Sequence, residues 1–260
     1  MNTNKIALIT GATSGIGASF AKRFAQDGYD LIITGRRRDT IQSLADGLAK
    51  EYNVNIEVII AELADSKDIE SLVRHITTKE NIEILVNNAG FGIGKGFNAD
   101  NIENQGKMVK VHVIATMQLI HAVIPQMIRR GRGAIINVSS IAAFSPLPED
   151  ATYCGTKAFL NNFSESLYME LREKDIRVQA LCPGFTRTDF HEKMGMKSED
   201  LRNRGIIRWM TADDVVSASI RSLKKKKVIC IPGFWNKILR SLIRILPRAL
   251  YYRIVSGLFS

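Results

Sequence analysis

The sequence is poor in the residues that build metal centres and disulfide frameworks. Its 260 residues hold three cysteines, Cys154, Cys182 and Cys230, far apart and in no CxxC pair, and only four histidines, with no HExxH and no clustered pair. That spacing argues against a zinc site and against a disulfide scaffold, and it predicts a reducing, cytoplasmic setting. No targeting segment is expected, because a strand pattern begins within the first few residues. Acidic residues are missing from one region: from Arg221 onward there are ten Lys and Arg and no Asp or Glu. The 26 basic residues before that point are matched by 26 acidic ones, so the net charge of +10 belongs entirely to the tail. A uniformly basic nucleic-acid surface is therefore not expected from the pI of about 9.6.

With 45% apolar residues, the chain can bury one large α/β core or two small ones. Short β-branched runs alternate with stretches of helical spacing, which calls for a parallel sheet covered by helices. Strands are expected at Lys5–Thr10, Asp30–Thr34, Asn55–Leu63, Ile82–Val86, Gly133–Ser140, Arg177–Cys182 and Val228–Ile231, with one long helix from Ile102 to Arg130.

The first strand stops at TGATSGIG, Thr10 to Gly17, and helical spacing follows. Glycines let a backbone approach a pyrophosphate, and a helix N-terminus offers it N–H groups. Gly11, Gly15 and Gly17 stand at GxxxGxG spacing, with Thr13, Ser14 and Ile16 between them. After the second strand comes Gly35-Arg36-Arg37-Arg38, with no acid before Asp39. A carboxylate at this place would bind the adenosine ribose of NAD, whereas guanidinium groups grip a 2′-phosphate. NADP(H) is therefore expected over NAD(H), with Arg36 first and Arg37 second as its ligands. The alternative is a solvated run of charge at a loop.

Tyr153 and Lys157 are four residues apart at the start of a helical pattern, which stacks them on one face. A cation beside a phenol favours the phenolate and brings tyrosine toward acid–base work. A serine pair, Ser139-Ser140, ends the strand before them.

These features, together with Asn87-Asn88-Ala89-Gly90 after the fourth strand and Pro183-Gly184 followed by Thr186 and Thr188, resemble the short-chain dehydrogenase/reductase family over residues 5 to about 188. The resemblance implies a doubly wound parallel sheet, a Rossmann fold of about seven strands with helices on both faces, in a single domain spanning 1–260. It implies reversible reduction of a ketone or aldehyde with NADP(H) and assembly as a homodimer or homotetramer. Ser140, thirteen residues before Tyr153, would hold the carbonyl oxygen, and Tyr153 would donate the proton. Lys157 would lower the Tyr153 pKa and bind the nicotinamide ribose. Glu62 and Leu63 would hold the adenine edge, Asn88, Ala89 and Gly90 would line the cofactor's path, and Pro183, Gly184, Thr186 and Thr188 would meet the nicotinamide amide and the pyrophosphate. One position departs from the family: Val111-His112-Val113 stands where an asparagine holds a water leading from the lysine to solvent. His112 is either a member of that proton relay or a packing choice.

Residues 188–212 are expected to cover the substrate, and Phe190, Met194, Met196, Trp209 and Met210 suit a bulky hydrophobic one or simple packing on the core. Residues 234–260 form a basic amphipathic extension. Trp235, Ile238, Leu239, Leu242, Ile243 and Leu246 share a helical face, Pro247 interrupts the pattern, and Arg244, Arg248 and Arg253 argue against a bilayer span. Such an extension packs on a second subunit or on the substrate opening, or lies on an anionic membrane surface. Two other classes of function stay open: a protein that senses NADP(H) without turnover, and a membrane-surface protein acting through this extension.

Overall fold

The computed structural model describes residues 5–190 and 208–258. Each β-branched run forms a strand: β1 (Ile6–Thr10), β2 (Asp30–Gly35), β3 (Ile56–Ile60), β4 (Ile82–Asn87), β5 (Gly133–Val138) and β6 (Ile176–Leu181). Two short strands, β7 (Thr186–Arg187) and β8 (Met210–Thr211), pair with each other, and β9 (Ile229–Cys230) closes the main sheet. The main sheet has seven strands in the order β3-β2-β1-β4-β5-β6-β9, and every pair is parallel. The order reverses at β1, where the chain crosses from the β2 side to β4, and a crevice opens beyond the strand ends at such a switch point.

Alternation along the strands divides the core into two layers. Ala7 and Ile9, Leu31 and Ile33, and Ile84 and Val86 pack on one side with Phe20, Phe24, Ile41 and Val216. Leu8, Ile32 and Leu85 point the other way, toward Leu72, Val123 and Leu167. The first side is covered by α1 (Gly15–Gln26), α2 (Arg38–Tyr52) and α7 (Ala212–Lys224), and the second by α3 (Ser66–Thr77), the long central helix and α6 (Ala151–Leu171). Both faces are helix-covered because the central strands are apolar on both sides.

The stretch Ile102–Arg130 is helical throughout, as expected, but not uniform. It runs as α4 (Ile102–Val109), a π-helical turn over Lys110–Ala115, and α5 (Thr116–Arg130). By length and composition it could cross a membrane, yet half of its most apolar window is buried in this fold. The π turn contains His112, and π turns inside α-helices commonly mark functional positions. At the C-terminus Pro247 separates α8 (Phe234–Ile245) from α9 (Arg248–Leu258).

Candidate active site

The glycine loop is built for close approach. Gly11 and Gly15 have positive φ, +65° and +57°, which favours glycine, and a Cβ on Gly17 would lie 2.3 Å from the Gly11 carbonyl oxygen. Helix α1 begins at Gly15, and its N-cap Ser14 makes no side-chain capping bond, so the first-turn N–H groups face the crevice uncapped. A Cβ on Gly15 would meet Thr188 Cγ2 at 2.9 Å, which makes Thr188 the opposite lip of the cradle. The asparagine motif holds this loop in place. Asn88 Nδ2 donates to the carbonyls of Thr10 and Gly11, both at 3.0 Å, and Thr10 Oγ1 accepts from the N–H groups of Asn88 and Ala89, also at 3.0 Å. A tight loop whose glycines tolerate no Cβ, at a helix N-terminus and a switch point, fits a dinucleotide pyrophosphate.

Beyond it, the arginines meet partners that the sequence reading did not name. Arg37 donates to Thr13 Oγ1 at 2.9 Å and Ser14 Oγ at 3.0 Å, and pairs with Asp189 at 3.7 Å. Arg36 pairs with Glu62 at 3.0 Å, with both side chains exposed. Glu62 also accepts from the Ala64 N–H. Leu63 instead packs its side chain into the core.

Ser140, Tyr153 and Lys157 meet at the end of β5. The Ser140 hydroxyl accepts from the Ala142 N–H at 3.1 Å, capping the 3₁₀ turn Ile141–Phe144, and hydrogen-bonds the Tyr153 phenol. Lys157, 5% exposed, donates to the Val138 carbonyl at 2.9 Å and lies 5.5 Å from the Tyr153 ring centre, over its face. The carbonyl of Lys157 accepts from Ser139 Oγ at 2.9 Å, so the other serine of the pair holds the helix rather than the site. Burial brings the Lys157 ammonium down to about 8. It also raises the Tyr153 phenol well above its ordinary range, and the hydrogen bond from Ser140 offsets this only in part. Burial is the largest cause of the Tyr153 shift, so the net direction is opposite to the one expected from the lysine alone. The lysine charge sits over the ring face, and desolvation keeps the phenol protonated.

His112 is 1% exposed and between the rings of Phe91 and Tyr153, each 5.9 Å away centre to centre. Its Nε2 accepts from the Phe91 N–H at 3.1 Å, its Nδ1 is 2.9 Å from Thr156 Oγ1, and the Thr156 hydroxyl donates to the Tyr153 carbonyl at 2.8 Å. Burial, and then the Lys157 charge, hold its pKa well below the ordinary histidine range. Both ring nitrogens are thus engaged by groups other than Lys157. Thr156 and Phe91 escaped the sequence reading, although a hydroxyl three residues after Tyr153 on its helix was the available signal.

Of the residues expected to cover the substrate, Phe190 lies 5.9 Å from the Tyr153 ring, and Trp209 packs on Phe185 at 5.1 Å. Met194 and Met196 lie outside the described residues. Gly184 has a role the sequence did not show: a Cβ there would come within 2.4 Å of the Asn236 amide. The loop after β6 is therefore the seat of α8. Thr186 Oγ1 turns back to the Gly184 carbonyl at 3.0 Å, and the Pro183 carbonyl accepts from the Ile141 N–H at 2.8 Å.

Comparison with known proteins agrees with this geometry. A family model described as short chain dehydrogenase matches residues 5–199. The inactive hydroxysteroid dehydrogenase-like protein 1 of Homo sapiens is 31% identical over 184 residues, which cover 70% of this chain and 56% of that protein. A short-chain dehydrogenase from Sphingobium yanoikuyae, solved in complex with NADPH, is 30% identical with a TM-score of 0.83, covering 94% of this chain and 96% of that one. A bulky-bulky ketone specific alcohol dehydrogenase from Comamonas testosteroni is 31% identical with a TM-score of 0.79 over the same shares.

Proposed function

The chain belongs to the short-chain dehydrogenase family, and from that premise we propose that this oxidoreductase interconverts a hydrophobic ketone or aldehyde and its alcohol with NADP(H). The observation that carries the reading is the convergence of Ser140, Tyr153 and Lys157, with Ser140 hydrogen-bonded to the Tyr153 phenol and Lys157 5.5 Å from its ring. NADPH, when bound, supplies the hydride. The residues do the rest. Ser140 Oγ holds the substrate oxygen, and Tyr153, kept protonated by burial, gives that oxygen its proton as charge develops there. Lys157, held by the Val138 carbonyl, binds the nicotinamide ribose hydroxyls and restores the proton on Tyr153.

Arg37 on the Thr13–Ser14 hydroxyls and Arg36 beside it support the 2′-phosphate and so NADP(H). The ring of Phe190 beside Tyr153 supports an apolar substrate, as does the likeness to a bulky-ketone alcohol dehydrogenase. Exposed Ile114, Met117, Phe159 and Met169, on the central helix and α6, support assembly with further copies of the chain. A panel of ketones and aldehydes run with NADPH and NADH in parallel tests the reading. Reduction of apolar ketones with NADPH is expected. Binding of NADPH with no turnover of any substrate would favour a sensing role instead, and equal rates with NADH would remove the argument from the arginines.

A further inference from the structure

The C-terminal helix pair half-buries Ile238, Leu239, Ile243 and Leu246 but leaves Phe234, Trp235, Leu242 and Ile245 exposed. The pair is fixed to the body by two polar anchors. Asn236 Nδ2 donates to the Pro232 carbonyl at 2.8 Å with its amide against Gly184, and the Tyr251 hydroxyl donates to the Pro146 carbonyl at 2.7 Å. Asn236 is the only buried residue of α8. Its position dictates what the helix turns outward. At 100° per residue, exposed Phe234, Leu242 and Ile245, with half-buried Ile238 among them, fall within an arc of about 80°, roughly opposite the buried Asn236. Phe234 is 70% and Ile245 76% exposed, and Leu250 and Ile254 of α9 are exposed as well. Exposed Lys237 and Arg244 border the arc.

The charge around this face selects its partner. Beyond Asp214 the sequence contains no carboxylate, while α8 and α9 carry exposed Lys237, Arg244, Arg248 and Arg253. A two-fold contact between copies would set these cations against one another with no acid on the face to pair them. An anionic lipid surface answers both features, accepting the apolar arc at its acyl boundary and neutralising the cations at its headgroups. We propose that α8 and α9 form a docking face for an anionic bilayer surface, lying in the interface plane and not crossing it. The opposite, body-facing side of α8 adjoins the site: the Arg240 guanidinium stacks 5.2 Å from the centre of the Phe144 ring, in the turn that follows Ser140. Resting on the proposed function, this makes the bilayer the source of the hydrophobic carbonyl substrate.

The test is co-sedimentation of the full chain with vesicles of phosphatidylcholine alone and with about a third phosphatidylserine, at 0.1 M and 0.5 M salt. Two exposed double variants accompany it, Phe234→Asp with Ile245→Asp, and Lys237→Glu with Arg244→Glu. The full chain is expected to pellet with the anionic vesicles only, less so at high salt, and each double variant to lower apparent lipid affinity at least tenfold. Turnover of a water-soluble ketone should be unchanged in both variants, which separates failure of docking from failure of the catalytic reading. Absence of binding to excess anionic vesicles, or equal binding by the variants, overturns the proposal. So does a fall in oligomer size of the first variant with its vesicle binding intact, which would assign the face to a second copy.

Discussion

Nδ1 of His112 lies 2.9 Å from Oγ1 of Thr156, and the bonds on either side determine which of the two carries the proton. The Phe91 N–H can only donate, so His112 Nε2 must be unprotonated and Nδ1 must hold the hydrogen. Thr156 accepts it and passes its own hydrogen to the Tyr153 carbonyl. The chain of donors runs in one direction, from the loop after β4 through the π turn to the helix that presents Tyr153. That favours positioning over relay for His112, because a relay needs a nitrogen free to exchange protons toward Lys157.

A neutral histidine locked in this way makes stability depend on pH. Its pKa in the fold lies well below that of the unfolded chain, near ~6.5. The unfolded state therefore binds the extra proton first as pH falls. Stability is fully present above ~6.5 and declines below it by about 1.4 kcal/mol per pH unit, until the folded-state pKa is reached. Denaturant unfolding at pH 7.5 and 5.5 should show this loss in the wild-type chain and a smaller one in His112→Asn. The same variant should leave the alkaline limb of the turnover profile in place. A shifted alkaline limb would return His112 to the relay.

Tyr153→Phe tests the proton donor without disturbing the packing of its ring between His112 and Phe190. Loss of a positioned general acid typically costs ~10²–10⁴-fold in rate. Turnover should fall at least a thousandfold, while NADPH affinity, read by fluorescence titration, stays within about threefold. Turnover near the wild-type rate would end the assignment.

Glu62 both pairs with Arg36 and sets a negative charge near the position proposed for the 2′-phosphate. Both effects oppose NADPH. Glu62→Gln should release Arg36 and lower the KM for NADPH severalfold, with little change for NADH. Arg37→Ala should do the opposite. A charge-assisted hydrogen bond of ~1.5–3 kcal/mol corresponds to about tenfold or more in affinity. An unchanged NADPH/NADH ratio in both variants would place the 2′-phosphate elsewhere.

Most of the fold was legible because it rests on short-range signals. Alternating β-branched runs located all seven strands of the main sheet, and Pro247 located the break between the last two helices. The site was legible where a motif fixes spacing, as in Gly11–Gly17 or Tyr153 with Lys157. What stayed hidden depends on contacts between distant segments. No periodicity shows that a π turn will occupy Lys110–Ala115, that Thr156 will meet a ring 44 residues away, or that Asn236 will seat against Gly184. The direction of the phenol's net shift was hidden for a related reason: helical spacing brings the lysine near, but burial is the largest cause. The amphipathic pattern of α8 likewise left open what its apolar side meets, and its one buried anchor is polar.

That anchor can be tested directly. A Cβ on Gly184 would lie 2.4 Å from the Asn236 amide, closer than real contacts allow, so Gly184→Ala must push α8 away or shift the loop. Overpacking of this kind costs ~1–3 kcal/mol. Hydrogen exchange should speed up over Phe234–Ile245 while the central strands keep their protection. Adding Asn236→Ala should restore part of the lost stability. If exchange in α8 is unaffected, the glycine serves only the approach to the cofactor.

Lys157 gives the last prediction its pH window. Burial favours the neutral amine and lowers its pKa to about 8, whereas the proposed contact with the ribose hydroxyls needs the ammonium. Free protein below about pH 8 already holds the charged form and binds without taking up a proton. Above that value each molecule must first be protonated, so NADPH affinity should fall by up to about tenfold per pH unit. The 2′-phosphate, with a second pKa near ~6, is fully charged throughout this range and adds no slope of its own. Lys157→Met should bind more weakly at pH 7 and show no such decline. Wild-type affinity that stays flat from pH 7 to 9.5, alongside weakened binding by Lys157→Met, would mean that the lysine acts through packing and not through its charge.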